Sequence, residues 1–130
     1  MAGAFVVYDA GALVAAQRKQ GRFCLLHQTF VAARRTLLVP VPVYVQVYRA
    51  DPRQHGLHVV LKAAELHRAD REIADLAARA LRETGTDDAV DAIVAATAVV
   101  HRAPVVTGDE GDIRSLLEAL DAFKHPVLAV

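Results

Sequence analysis

Six acidic residues lie close together in the sequence, in the last third of the chain. Residues 87–112 contain six Asp or Glu and a single base, Arg102. Such a concentration of negative charge is costly unless a cation neutralises it. Carboxylate oxygens suit Mg²⁺ or Mn²⁺, whereas zinc prefers His or Cys ligands. This stretch is therefore a candidate site for a hard divalent cation.

The spacing of the acids favours a shared site. Asp88 and Asp91 lie three residues apart at the start of an apolar helical pattern, so they share one helix face. Asp109 and Asp112 follow a short apolar strand pattern, on the turn that leads into the next helix, and Asp9 directly follows another apolar run. Open α/β sheets bind ligands at the carboxyl ends of their strands. We therefore expect Asp9 to converge with the later acids.

Each acid alone also has a structural interpretation. Asp87 or Asp88 can cap the helix that follows, and Glu110 or Asp112 can stabilise a helix dipole from its first turn. Two acids at the ends of separate strands, Asp9 and Asp109, make a functional role the better explanation.

The composition is that of one globular domain. The chain has 130 residues, 54% of them apolar, with seven aromatic residues and no Trp. Residues 13–82 carry twelve Lys or Arg against five Asp or Glu. A basic body beside an acidic site suits a polyanion, although solvated helix faces explain the same arginines. The single cysteine, Cys24, excludes an internal disulfide. With neither a signal-peptide pattern nor a long apolar run, we expect a cytoplasmic protein without a membrane span.

Apolar runs and helical periodicity alternate along the chain. The runs predict strands at residues 5–8, 37–39, 65–67, 104–107 and 126–130. The periodicity predicts helices from residue 10 to a break at Gly21-Arg22 and at 23–35, 43–50, 56–64, 69–83, 86–101 and 111–123. This order predicts an α/β fold, a three-layer α/β/α sandwich with a four- or five-stranded parallel sheet. The strand before Asp9 should be central, and the strand before Asp109 should lie next to it.

Four motifs in this order resemble the PIN-domain ribonucleases, among them the VapC-type toxins of type II toxin–antitoxin systems. They are V-V-Y-D-A-G-A-L at 6–13, L-L-V-P-V-P-V-Y-V-Q-V-Y-R at 37–49, D-A-V-D-A-I-V-A-A-T-A at 88–98 and V-V-T-G-D-E-G-D-I-R-S-L at 105–116. The resemblance covers nearly the whole chain and implies a single PIN domain over residues 1–130.

The resemblance implies an endoribonuclease toxin that hydrolyses RNA phosphodiester bonds with Mg²⁺ or Mn²⁺. It also implies that Asp9, Asp91, Asp109 and Asp112 form the catalytic pocket. Asp9, Asp91 and Asp109 would bind the metal directly, and Asp112 would bind through water or position the nucleophile. A homodimer and a cognate VapB-type antitoxin that blocks the pocket are further implications.

The chain departs from the family pattern at two positions. Gln46 stands where the family usually has a second acid, which removes a charge but leaves an amide oxygen. Gly11 stands where Ser or Thr is common, which removes a hydroxyl group. Arg49, on the helix of Gln46, and Arg114 are candidates for contacts with the phosphate backbone, and equally for surface ion pairs.

Two other functions remain open. The changes at Gln46 and Gly11 are consistent with a catalytically weakened PIN domain that acts as an RNA- or protein-binding module. A receiver-like phosphoacceptor domain also has acids at strand ends. It ranks last, because this chain lacks the Lys after a late strand and the acid pair beside the first strand that such a domain needs.

Overall fold

A parallel five-stranded sheet forms the centre of the fold. The computed structural model describes residues 4–130. The strands are β1 (Phe5–Tyr8), β2 (Thr36–Pro40), β3 (Ala64–His67), β4 (Val105–Thr107) and β5 (Val127–Ala129), in the order β3-β2-β1-β4-β5. Val7 pairs with Leu38 on one side and with Val105 on the other, and it is fully buried. The prediction that the strand before Asp9 is central, with the strand before Asp109 beside it, is confirmed.

Two layers of helices cover the sheet, as expected of apolar parallel strands. The helices are α1 (Ala10–Gln17), α2 (Gly21–Ala32), α3 (Val41–Val47), α4 (His55–Lys62), α5 (Arg71–Thr84), α6 (Ala89–His101) and α7 (Glu110–Ala119). One layer contains α1 to α4, with α1 in contact with each of the other three. The other layer contains α5, α6 and α7, which contact one another. The predicted α/β/α sandwich is thus confirmed. Within residues 4–130, none of the helices combines the length and hydropathy needed to span a bilayer.

Several predicted helix boundaries were wrong. The expected break at Gly21-Arg22 is the first turn of α2, because the Gln20 side-chain oxygen accepts a hydrogen bond from the Phe23 N–H at 3.3 Å and caps the helix. The helices predicted at 23–35 and 111–123 end early, at Ala32 and Ala119. Arg34 and Asp121 follow these ends with φ of 57° and 61°, a left-handed conformation that reverses the chain.

The third helix also ends earlier than the predicted residue 50. It stops at Val47, and the buried side chain of Gln54 holds the turn that follows. Gln54 Nε2 donates to the Val47 carbonyl at 2.8 Å, and Gln54 Oε1 accepts from the Arg49 N–H at 2.9 Å. Arg49 therefore lies outside the helix that carries Gln46. The fourth helix likewise stops short of Ala64, which pairs with Leu37 in the sheet.

Candidate active site

The candidate site lies at the carboxyl ends of β1 and β4. From β1 the chain passes to β2 and β3 on one side of the sheet, and then returns to β4 and β5 on the other. Such a switch in direction leaves a crevice between the two neighbouring strands. Asp9 directly follows β1 and Asp109 follows β4 after one intervening glycine. The topology therefore brings both acids to the same crevice, although 100 residues separate them.

Asp9 is buried and both of its carboxylate oxygens are hydrogen-bonded. Oδ1 accepts from the Ala12 N–H at 2.8 Å, which caps α1, and from the Gly108 N–H at 3.4 Å. Oδ2 accepts a hydrogen bond from the Thr107 hydroxyl group. Burial raises the pKa of Asp9, and these hydrogen bonds oppose that rise without cancelling it. Asp9 is thus both a helix cap and a desolvated acid in the crevice.

Thr107 connects the two strand-end acids. Its hydroxyl group donates to Asp9 and accepts from the Asp109 N–H at 2.8 Å. The side chain is fully buried, so both hydrogen bonds are shielded from water. The apolar pattern Val105-Val106-Thr107 gave no reason to select this residue from the sequence. Its only available signal was a hydroxyl group at the end of a strand, next to Gly108 and Asp109.

Gly11 and Gly108 allow the two segments of the crevice to meet. A Cβ atom added to Gly11 would lie 2.5 Å from Gly108 Cα, and one added to Gly108 would lie 2.9 Å from Gly11 Cα. No side chain fits either position without a backbone shift. The absence of Ser or Thr at position 11 thus has a steric reason, and Thr107 supplies a hydroxyl group to Asp9 instead.

Three further acids form a cluster. One carboxylate oxygen from each of Asp91, Asp109 and Asp112 lies within 4.8 Å of the other two. Helix caps position these side chains: Asp109 caps α7 by accepting from the Asp112 N–H at 3.4 Å, and Asp88 caps α6 by accepting from the Asp91 N–H at 3.0 Å. The capping role of Asp88 agrees with its structural interpretation from the sequence.

Burial and mutual repulsion raise the pKa values of two of these acids, Asp91 and Asp112. Burial raises the pKa of Asp91 to about 7, with further contributions from the negative charges of Asp88, Asp9 and Asp109. The pKa of Asp112 is raised chiefly by its hydrogen bond and charge interaction with Asp109. The effect of Asp9 on Asp91 indicates that Asp9 lies near the cluster, although it is not one of the three grouped acids. Without a cation, the site is therefore an unfavourable concentration of charge.

The cluster fits a hard divalent cation. Three carboxylate oxygens within 4.8 Å of one another could hold one such cation, directly or through bound water. Beside the cluster is a cavity of about 150 Å³ lined by Thr84, Thr86, Asp88, Asp91, Asp112, Ser115 and Leu116. Its donors are carboxylate and hydroxyl oxygens, without His or Cys, and this set favours Mg²⁺ or Mn²⁺ over zinc.

The three other predicted site residues, Gln46, Arg49 and Arg114, differ in their surroundings. Gln46 is exposed in the last turn of α3. The Arg49 guanidinium donates to the carbonyls of Val45, Gln46 and Tyr48 at 2.8–3.0 Å, and so covers the end of α3. Arg114 donates to the His125 carbonyl at 2.7 Å. Both arginines thus make backbone hydrogen bonds, rather than the surface ion pairs that were the alternative.

Comparison with known proteins identifies the family. The family model described as PIN domain matches residues 6–116, most of the chain. This chain belongs to the PIN domain family, as the resemblance predicted. A search of curated protein sequences gives no match.

Two solved structures show the same fold. One is the crystal structure of VapBC2 from Rickettsia felis bound to a DNA fragment from their promoter, with 13% identity, a TM-score of 0.67 and coverage of 96% of this chain and 98% of that chain. The other is a toxin–antitoxin complex from Klebsiella pneumoniae, with 18% identity, a TM-score of 0.65 and coverage of 82% and 88%. At these identities the likeness concerns the fold.

Proposed function

We propose that this protein is a VapC-type toxin, a metal-dependent endoribonuclease that hydrolyses RNA phosphodiester bonds with Mg²⁺ or Mn²⁺. The observation that carries the proposal is the convergence of Asp91, Asp109 and Asp112, with Asp9 beside them, in the β1/β4 crevice. Membership of the PIN domain family supports nuclease chemistry at this position. The basic body of the chain is suited to hold a polyanion.

Each acid has a role that follows from its surroundings. Asp91 and Asp109 hold the cation, and Asp112 orients the attacking water or completes the ligand set. Asp9, fixed by Thr107 and the α1 amide, adds negative charge to the cation site and is a further ligand candidate. The bound cation supplies an acidified water and stabilises charge on the leaving oxygen. Asp91 is partly protonated near neutral pH, so cation binding releases a proton.

The test is cleavage of a labelled single-stranded RNA by the purified protein. We expect cleavage with Mg²⁺ or Mn²⁺, none with EDTA, and at least about a hundredfold loss in Asp109→Asn, because that change removes a charged ligand. Asp75→Asn is the matched control, since Asp75 pairs with Arg71 on the exposed face of α5. Cleavage that persists undiminished in EDTA would exclude the metal mechanism. RNA binding without cleavage would favour the catalytically weakened binding module.

The proposal includes a VapB-type antitoxin, a homodimer and a cytoplasmic site of action. The support for the antitoxin is that the two similar solved structures are described as VapBC2 and as a toxin–antitoxin complex. Expression of the chain should arrest growth, and co-expression of its antitoxin, sought as a small gene adjacent to this one, should restore growth and yield a stable complex. If the Asp109→Asn variant arrests growth as strongly as the wild type, the toxicity does not come from this site.

A further inference from the structure

An open groove begins beside the acids and runs along α1. Its volume is about 580 Å³, and the backbones of Gly11 and Gly108 lie at its acidic end. Gly11 follows Asp9 by two residues, and the Gly108 N–H donates to Asp9. The two glycine backbones are in close contact here, and Gly108 directly precedes Asp109, so the groove begins next to the acids. A chain bound at the acids can therefore continue into the groove.

Arg18 lies at the other end of the groove. With Gly11, Val14 and Ala15 it forms the stripe of α1 that lines one wall. Its side chain is exposed, and across residues 4–130 its guanidinium has neither an acidic partner nor a hydrogen-bonded carbonyl. In this respect it differs from Arg49, whose donors are occupied by the end of α3. Arg18 is thus a cation available to a ligand in the groove.

The surroundings of Arg18 add positive potential. Helix α2 begins at Gly21, directly after Gln20, which also lines the groove, so the positive end of the α2 dipole lies at the same end. Seven helical residues separate Gly11 from Arg18, a distance of about 10 Å. With about 3.4 Å per nucleotide in a stacked strand, this corresponds to roughly three nucleotides. The groove thus has the proposed metal site near one end and the cationic side chain of Arg18 at the other.

We propose that this groove binds the phosphodiester backbone of the RNA on one side of the scissile bond, with Arg18 as its phosphate contact. The inference rests on the proposed ribonuclease function and identifies the path of the substrate. It assigns the phosphate contact to Arg18 in place of Arg49 and Arg114, whose guanidinium groups already bond to backbone carbonyls. Arg18 is thus assigned a role in substrate binding and none in the chemical step.

The first test is RNA affinity as a function of salt, in an Asp109→Asn background that prevents cleavage. Loss of one phosphate contact lowers the slope of log K against log salt by about 0.7, and this corresponds to roughly fivefold weaker binding at 0.1 M salt. We expect these changes for Arg18→Gln. Arg102→Gln is the matched control, because it removes the same charge from an exposed side chain away from the groove. Arg102 precedes β4 and therefore lies near the amino end of that strand, whereas the acids follow the carboxyl ends of β1 and β4. Equal slopes in the two variants would overturn the inference.

The second test uses cleavage kinetics in otherwise wild-type protein. Arg18→Gln should raise KM about fivefold with kcat unchanged, since the contact is equally strong in the ground and transition states. The RNA should also be shortened one nucleotide at a time from each end. Shortening from one of the two ends should lower wild-type cleavage, and the same shortening should leave cleavage by Arg18→Gln unchanged. If the wild type cuts RNA but the variant has the same KM and length dependence, the groove is not the substrate path. If the wild type cuts no RNA, the proposed function fails and this inference fails with it.

Discussion

Replacing Asp91 by Asn should make the metal-free protein less sensitive to pH. Asp91 has a raised pKa because burial and three neighbouring acids disfavour its charge. Between the unfolded pKa of 3.8 and the folded value of about 7, the native state binds more protons than the unfolded state. The free energy of unfolding therefore falls as pH rises through this window. The stabilising contribution is complete below the window and lost above it.

The size of the effect follows from the two pKa values. A shift from 3.8 to about 7 corresponds to at most about 4 kcal/mol over the whole window. Between pH 5 and pH 8 about two thirds of this applies, and solvent screening of a half-buried carboxylate reduces it to about 1 kcal/mol. We therefore expect the difference in unfolding free energy between Asp91→Asn and wild type to increase by about 1 kcal/mol from pH 5 to pH 8.

The measurement is urea unfolding of both proteins in EDTA at several pH values. Burial lowers the pKa of His27 and His67, so those groups make stability rise with pH, but this contribution cancels in the difference between the two proteins. Adding Mg²⁺ at pH 8 should stabilise wild type and have less effect on Asp91→Asn. Asp75→Asn should follow wild type throughout. The reasoning is refuted if Asp91→Asn and wild type have the same pH dependence, or if the variant is the less stable protein at pH 8.

Three other substitutions test the crevice. Gly11→Ala should destabilise the fold by about 1–3 kcal/mol in thermal unfolding, because its Cβ meets Gly108 Cα at 2.5 Å; Gly21→Ala, with open space around it, should not. Thr107→Val should cost about 1.5–3 kcal/mol by removing a hydrogen bond to buried Asp9, and Thr107→Ser should retain most of the stability. Gln46→Glu should tighten Mg²⁺ binding in calorimetric titration, because a carboxylate adds charge to the site; unchanged affinity would place Gln46 outside the metal shell.

The boundaries of the helices show where local signals are sufficient. The end of α5 was predicted at residue 83 and lies one residue later, at Thr84, because Gly85 adopts a left-handed conformation that glycine favours and stops the helix. Helices α1, α2, α6 and α7 are instead followed, within two residues of their last residue, by a non-glycine residue with φ between 50° and 61°: Lys19, Arg34, Arg102 and Asp121. A non-glycine residue in this conformation costs about 1–2 kcal/mol, so packing of the following segment must compensate. That compensation has no local signature, so the ends of α2 and α7 were predicted too late, whereas the end of α6 at His101 was predicted correctly.

The sequence by itself determined the order of the elements, the central position of β1 and the identity of the acids at the crevice. These properties depend on apolar runs, helical periodicity and the rule that parallel strands present their carboxyl ends at one edge, all of which are local or topological. Asp9 and Asp109 could be selected for this reason. So could Asp91, from its spacing on an apolar helix.

Only the tertiary structure decided what each side chain does there. It joined Asp91, Asp109 and Asp112 in one cluster and gave Asp9 hydrogen bonds to Thr107 and to the α1 amide. Hydrogen-bond partners and desolvation arise when distant segments meet: 98 residues separate Thr107 from Asp9. For the same reason the folded chain, and not the list of basic residues, distinguishes Arg18, whose guanidinium has no partner among residues 4–130, from the arginines that bond to carbonyls.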